Sequence, residues 1–454
     1  MKQIPSTWAM APIGDLCDLK NGRAFKPIEW TSEGLPIVRI QNLNNKNAQF
    51  NYYSGAYEDK YYLKGGELLF AWSGTPGTSF GAHEWRGGEA LLNQHIFRVD
   101  FDKNFLDRRL FRHAINQQLS LLISKAHGGA GLQHVTKGKF EATEIAVPPL
   151  NEQRRVADKL DTTLARVDAL NDQLARITPL LKRFRQSVLA AATSGRLTED
   201  LRSSANLSAW VKVPTETVSD FQSGFAFKSE IFKSQGDYQI IKLANVKQNN
   251  LNLSAAPAFV DKKDVLDCLK FAPNVGDILI SMTGTKYKKD YGFACLIKQE
   301  IKCLVNQRVG RFIPDMGKII PYYFLLSLMS EEFREQFFEG ETGGVNQGNV
   351  GAKHIKSCTI NLPSLAEQTE IVRRVETLFA FADRLEARLQ SAQTAAERLT
   401  PALLAKAFRG ELVPQDPSDE PATELLRRLR EARAADTASK PKRGRAAKAP
   451  TVSE

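Results

Sequence analysis

Two stretches of this chain carry apolar residues at steps that alternate strictly between four and three. The first runs Val156, Leu160, Thr163, Val167, Leu170, Leu174, Ile177, Leu181, Phe184 and Val188, and the second runs Ile371, Val375, Leu378, Ala382, Leu385, Leu389, Ala392, Ala396, Leu399 and Leu403. A 3.5-residue period keeps one stripe turned toward a partner helix along its whole length, so each stretch is predicted to be a long coiled-coil helix. Antiparallel pairing would set Val167 against Ala392, Ile177 against Ala382 and Thr163 against Ala396, larger groups opposite smaller ones. Docking of each helix on its own globular neighbour would satisfy the same pattern. Pro179 and Pro401 follow matching tripeptides, Arg176-Ile177-Thr178 and Arg398-Leu399-Thr400, and each is expected to bend or interrupt its helix.

The segments ahead of these helices lack that period and read as mixed α/β. Short apolar or alternating runs at 35–40, 67–71 and 94–99 predict strands, and 105–124 and 321–338 each predict one helix. Polar, glycine-rich stretches at 72–88, 126–132, 283–292 and 340–351 predict loops, where recognition groups usually sit on a rigid scaffold.

The whole plan occurs twice. Asp18-Leu19-Lys20-Asn21-Gly22-Arg23-Ala24-Phe25-Lys26 returns as Asp220-Phe221-Gln222-Ser223-Gly224-Phe225-Ala226-Phe227-Lys228, an offset of 202. The offset then grows to 203 at Ile37-Val38-Arg39 and Ile240-Ile241-Lys242. It reaches 210 at Ser73-Gly74-Thr75 and Thr283-Gly284-Thr285, and 213 at Asn93-Gln94 and Asn306-Gln307. From Pro148-Pro149-Leu150-Asn151-Glu152-Gln153 and Pro363-Ser364-Leu365-Ala366-Glu367-Gln368 to Gly195-Arg196-Leu197 and Gly410-Glu411-Leu412 it holds at 215. Insertions therefore accumulated in the front part of each copy, while the helical part kept its length.

At 454 residues the chain is sized for roughly three folding units. Its 62 Lys and Arg against 51 Asp and Glu leave a charge of +11, which favours a polyanionic partner and is equally compatible with plain solubility. Nine of the basic and four of the acidic residues fall between Pro421 and Glu454. No apolar run approaches the ~20 residues of a membrane span, and the start of the chain lacks a secretory pattern, so a cytoplasmic protein is expected with no membrane partner. Five cysteines, none spaced C-x-x-C, predict neither a disulfide framework nor a zinc site.

Catalytic signatures are sparse. The chain has no Gly-x-x-x-x-Gly-Lys-Ser/Thr loop, no His-Glu-x-x-His pair, and a single Pro-Pro pair in apolar surroundings that reads as a hinge before the first long helix. Asp290 with Glu300 and Lys302 could in principle hold magnesium, but the trio has no counterpart in the first copy. No catalytic residue, metal site or cofactor site is predicted in this chain.

The duplicated Pro-x-Leu-x-Glu-Gln openings, the Gly-x-Leu closings, and the trailing Leu412-Val413-Pro414-Gln415-Asp416-Pro417 with Asp419-Glu420-Pro421 span nearly the whole chain. In this order they resemble the specificity subunit of Type I restriction-modification systems. The resemblance implies a non-catalytic subunit with two mixed α/β target-recognition domains, each reading half of a bipartite, asymmetric double-stranded DNA site. Two long antiparallel coiled-coil helices would set the gap between the halves, in a pseudo-two-fold repeat. It also implies two docked modification (methyltransferase) subunits and added restriction (motor-nuclease) subunits, with S-adenosylmethionine, ATP and magnesium on those partners. The domains are then expected at 1–148 and 206–362, with the central helix and linker at 149–205, the distal helix at 363–413 and a tail at 414–454. Within the tail, 422–434 predicts a short helix that docks on the coiled coil or a partner subunit, and the basic run from Lys440 to Arg445 predicts disorder. A self-sufficient nuclease or methyltransferase, and a coiled-coil scaffold without DNA, are the competing classes.

Base reading needs Arg, Lys, Asn or Gln on base edges and further basic groups on phosphates. The candidates in the first domain are Arg23, Lys26, Arg39, Asn42, Ser73, Thr75 and Gln133. In the second they are Lys228, Lys242, Asn245, Thr283, Thr285, Lys286, Lys288 and Lys289. The Asn-Gln pairs are expected to brace a turn, and Phe25 and Phe227 to be buried. Positions that differ between the copies, such as Arg23 against Phe225, are better candidates for base reading than shared ones, because shared residues cannot explain different half-sites.

Overall fold

Each stretch with the alternating period forms one helix, Leu150–Ser194 and Leu365–Ala407. The computed structural model describes residues 4–45, 47–74, 80–124, 127–129, 132–204, 209–344 and 346–439. Two compact units emerge. Unit 1 comprises Met1–Gln173 with Gln393–Glu454, and unit 2 comprises Leu174–Ala392, so both helices contribute to both units.

Within unit 1, Val156, Ala157 and Leu160 of the first helix share a core with Leu403, Leu404 and Ala407 of the second. Within unit 2, Val188 and Ala192 share a core with Ile371 and Val375, and Arg185 donates to Asp383 at 2.6 Å and Glu386 at 3.1 Å. In each unit the start of one helix lies beside the end of the other, an antiparallel order.

The buried stripe departs from the predicted seam. Val167, Leu181, Ala382, Leu389 and Ala396 are buried, whereas Leu170, Ile177 and Leu399 are 36–41% exposed and Ala392 is exposed as well. A straight helix drifts by ~20° per heptad against a strict 3.5 repeat. Three heptads beyond Ile371 the inward face of the second helix has accordingly moved from Ala392 to the half-buried Gln393 and Thr394. Leu170 and Ile177 lie in a middle stretch that belongs to neither unit's apolar core. Pro179 and Pro401 interrupt nothing: both helices continue through them. The residues whose carbonyls lose an amide partner, Ala175 and Glu397, are exposed and open to water.

The duplicated motifs hold the helix ends. Gln153 accepts from the Asp107 amide at 2.8 Å and donates to the carbonyls of Phe105 and Pro148. Gln368 repeats this with Ile320, Lys318 and Pro363. The preceding glutamates are buried and face the segment that follows the opposite helix. Glu152 accepts from Trp8 Nε1 at 3.0 Å and from Gln415 Nε2 at 2.5 Å, and Glu367 accepts from Thr198 Oγ1 at 2.7 Å. Gly195 and Gly410, with φ of +84° and +71°, make the left-handed turn after each helix that a β-carbon would strain.

Each globular part carries the same sheets. In unit 1 an antiparallel sheet runs Asp18–Asn21, Ile96–Asp100, Leu68–Ala71, Gly81–Glu84, and in unit 2 it runs Ser219–Ser223, Val309–Pro314, Ile278–Ser281, Ala294–Leu296. A second sheet is built on a parallel pair, Leu35–Val38 with Ala90–Leu92, repeated as Tyr238–Ile241 with Cys303–Val305. The sequences differ at one paired site: Leu19 and Phe97 in the first copy answer to Phe221 and Gly310 in the second, where the Phe221 ring occupies the space a β-carbon on Gly310 would need.

Two further expectations are corrected. The two single helices are helix pairs, Arg108–Gln117 with Leu119–Ser124 and Pro321–Met329 with Glu331–Glu339. The second pair is broken at Ser330, whose hydroxyl accepts from the Phe333 amide and caps the new helix. The polar glycine-rich stretches are not wholly loop: they contribute small sheets, Ser73–Gly74 with Leu132–His134 and His127–Gly129, and Thr283–Thr285 with Gln347–Val350 and Glu341–Thr342. The tail helix, Ala422–Ser439, joins the core of unit 1 through Leu425, Leu426 and Leu429, and Arg433 pairs with Asp18 at 2.7 Å. The run from Lys440 to Arg445 lies outside the described residues. Among the described residues, no helix is long and apolar enough to cross a membrane.

Candidate nucleic-acid interface

The residues after the shared glycine meet the Asn-Gln turn in both units. The Arg23 amide donates to the Leu92 carbonyl and the Phe225 amide to that of Val305, both at 2.9 Å. Asn93 and Asn306 in turn donate their amides to Val38 and Ile241 at 3.1 and 3.0 Å. One residue beyond each Asn-Gln pair, the carbonyls of His95 and Arg308 accept from Trp72 and Met282 at 3.2 and 3.0 Å. The backbone frame is therefore the same in both copies, and Phe25 and Phe227 are buried beneath it. What changes is the set of side chains the frame displays.

In unit 2 the frame borders a groove of about 740 Å³ lined by Lys242, Lys247, Thr283, Thr285, Gln307, Arg308 and Gln347. Thr283, Gln307, Arg308 and Gln347 also border an adjoining hollow of about 410 Å³ that includes Asn349. Thr283 and Asn349 are cross-strand partners, and Thr283 Oγ1 is buried with no hydrogen-bond partner among the described residues. In unit 1 the corresponding strand pair is Ser73 with His134. There Trp72, His95 and His134 cluster with ring centroids 5.3–6.5 Å apart, and Gln94 Nε2 contacts His95 Nε2 at 3.1 Å. The Nδ1 atoms of His95 and His134 are buried without partners among the described residues. Burial, followed by the nearby His134 and Arg39, holds the His95 imidazole below its usual pKa. Each unit thus holds buried polar atoms without partners among the described residues beside the Asn-Gln turn.

The predicted residues fall into distinct classes. Lys242, Thr283 and Thr285 line the groove; Lys242 lies over the Phe232 ring at 5.2 Å and Thr285 binds Asp290 through both its amide and its hydroxyl. Arg39 lies over the Trp30 ring and donates to Asn51 at 3.1 Å. Arg23 is paired with Glu29 and packed between the rings of Phe25 and Tyr53. Ser73 is buried on its strand. Lys26, Lys228, Lys288 and Lys289 are exposed and Lys286 is half-buried; none of these five lines the groove. Thr75 lies outside the described residues, as does the side chain of Gln133.

Asn42 and Asn245 are corrections. Each is buried and has its side chain fully engaged within its own domain. Asn42 accepts from the Arg39 amide and donates to Ala48 and Gln49, while Asn245 accepts from the Lys242 amide and donates to Asn252 and Ala255. Neither keeps a donor to offer a base. Conversely, His95, Arg308, His134 and Asn349 were not among the predicted residues. His95 and Arg308 had a sequence signal, since they are the first positions that differ after the shared Asn-Gln pair. His134 and Asn349 had none, because their place is set by strand pairing across long polar segments.

The family described as Type I restriction modification DNA specificity domain matches residues 5–178 and 208–392. The EcoBI specificity subunit of Escherichia coli, a Type I restriction enzyme component, is 29% identical over 97% of this chain and 95% of its own. The StySPI specificity subunit of Salmonella potsdam is 28% identical over 98% and 99%. Among solved structures, the HsdS subunit from Thermoanaerobacter tengcongensis aligns with a TM-score of 0.57 at 18% identity, covering 90% of this chain and 98% of its own. A chain from a structural study of complex assembly in a type I R-M system aligns at 0.61, also at 18% identity, covering 90% and 99%. At that identity these two likenesses speak to the fold.

Proposed function

This chain belongs to the family of Type I restriction-modification DNA specificity domains, and from that premise we propose how it divides the work of reading a DNA site. Residues 1–148 and 206–362 are the two target-recognition domains, each taking one half of a bipartite site in its groove. The long helices set the unread gap between the halves, as protein geometry sets half-site spacing in other two-headed DNA readers. Two modification subunits dock on the helical parts and bring S-adenosylmethionine and the methyl-transfer chemistry. Restriction subunits add ATP-driven translocation and cleavage, and the chain itself performs no reaction in the cytoplasm where the complex works.

The observation that carries this reading is the pair of equivalent backbone frames displaying different side chains. Identical frames suit two copies of the same backbone task, holding a duplex by its phosphates, while different side chains suit different base sequences. The test uses the purified chain with and without its modification partner. Methyl transfer and sequence-selective binding are expected only with the partner, with affinity falling steeply as salt rises because phosphate contacts release counterions. Methyl transfer or cleavage by the chain alone would overturn it.

A further inference from the structure

We propose that the residue immediately after each Asn-Gln pair is a base-reading position of its domain, and that Arg308 reads a guanine in the half-site taken by the second domain. The inference rests on the DNA-reading role above and narrows it to one side chain and one base.

Five observations carry it. The backbone at 95 and 308 is held identically, since each carbonyl accepts from the residue just after the central sheet strand, Trp72 or Met282. The two side chains therefore leave the same place with different chemistry. Arg308 is exposed, borders both hollows of the unit 2 groove, and its guanidinium has no hydrogen-bond or ionic partner among the described residues. Its neighbours Thr283, Gln307, Gln347 and Asn349 are all uncharged hydrogen-bonding groups, and the one acid in the lining, Asp290, is already committed to Thr285.

A guanidinium in such a place is free to present two parallel N–H donors, the pattern that matches O6 and N7 of guanine in the major groove and no other base edge so well. In unit 1 the same place holds His95, flanked by Trp72 and His134. A neutral imidazole offers one donor and one acceptor, so the first domain cannot make the bidentate contact and its half-site differs at the equivalent step.

The experiment maps the methylated sites made by the complete complex carrying the natural chain, Arg308→Ala, Arg308→Lys or His95→Arg. Because Arg308 is exposed, its truncation removes no core packing, and an unchanged thermal midpoint checks this. With Arg308→Ala and Arg308→Lys, discrimination at a single G·C pair is expected to fall by about 5- to 150-fold, with the other half-site and the gap unchanged. Lysine keeps the charge but not the fork, so its failure to rescue separates base reading from phosphate attraction. His95→Arg should alter only the other half-site. Rescue by lysine, a uniform loss across all sites, or an unchanged motif would overturn the inference while leaving the two-domain reading intact. A natural complex with no bipartite motif would instead overturn the reading on which it rests.

Discussion

Gly22 packs against the carbonyl of Asn93 so closely that a β-carbon on the glycine would overlap it, and Gly224 stands in the same relation to Asn306. The obstructing atoms are backbone, which has no rotamer to give way. Gly22→Ala and Gly224→Ala are each expected to destabilise their own unit by about 1–3 kcal/mol or more, the usual cost of forcing atoms into filled space. Hydrogen exchange on the two variants checks this, with loosening confined to unit 1 in the first and unit 2 in the second; two variants as stable as the natural chain would contradict it.

Asn42 and Asn245 separate support from recognition. Each alanine variant removes three hydrogen bonds to partly exposed backbone groups, at about 0.5–1.5 kcal/mol per bond. Asn245→Ala should therefore lower the unfolding midpoint of unit 2, while the fraction that remains folded supports methylation at an unchanged sequence. A changed recognition sequence with normal stability would mean that the side chain leaves its internal bonds to meet DNA.

The tail helix completes unit 1. Leu425 and Leu429 are 1–2% exposed within the core that also holds Leu110, Phe140 and Val156. Replacing Leu425 by alanine is expected to cost about 2–5 kcal/mol, and ending the chain at Glu420 should expose unit 1 to protease while unit 2 stays protected. Equal protection of both units after truncation would show that the helix is an appendage.

His113 makes unit 1 sensitive to acid. Burial, helped by Arg112 and opposed by Asp161, lowers its pKa to about 4, and Arg112 contacts its Nε2 at 3.2 Å. The unfolded chain takes up this proton near pH 6.5, whereas the folded one does so only near pH 4. Stability is therefore full above pH 6.5 and is lost progressively as pH falls to about 4, by about 3 kcal/mol in total. His113→Gln keeps an acceptor for Arg112 and should flatten that slope. An identical slope in denaturation measured from pH 7 to 4 would locate the sensitivity elsewhere.

The long helices and the duplication were legible because they rest on local period and on order along the chain. Glu152-Gln153 and Glu367-Gln368 could be recognised as paired motifs, yet their task could not, since the bonds to Trp8, Gln415 and Thr198 join segments 144 to 263 residues apart. The seam was misplaced at Ala392 and Leu399 because a strict heptad count ignores the drift of a straight helix. The groove was only partly legible. Lys242 and Thr283 lie beside recognisable repeats, but Asn349 reaches the site through a strand of Gln, Gly and Asn that carries no alternating pattern. Asn42 and Asn245 looked like base readers because chemistry alone cannot distinguish an asparagine that faces DNA from one that closes a turn.

The claim that two reading heads are held at a distance fixed by the long helices is tested most directly by matched seven-residue deletions, 171–177 with 386–392. The methylated sites of the complete complex are then mapped. The expected result is a changed gap between two unaltered half-sites; an unaltered gap, or half-site sequences that change with the deletion, would contradict it.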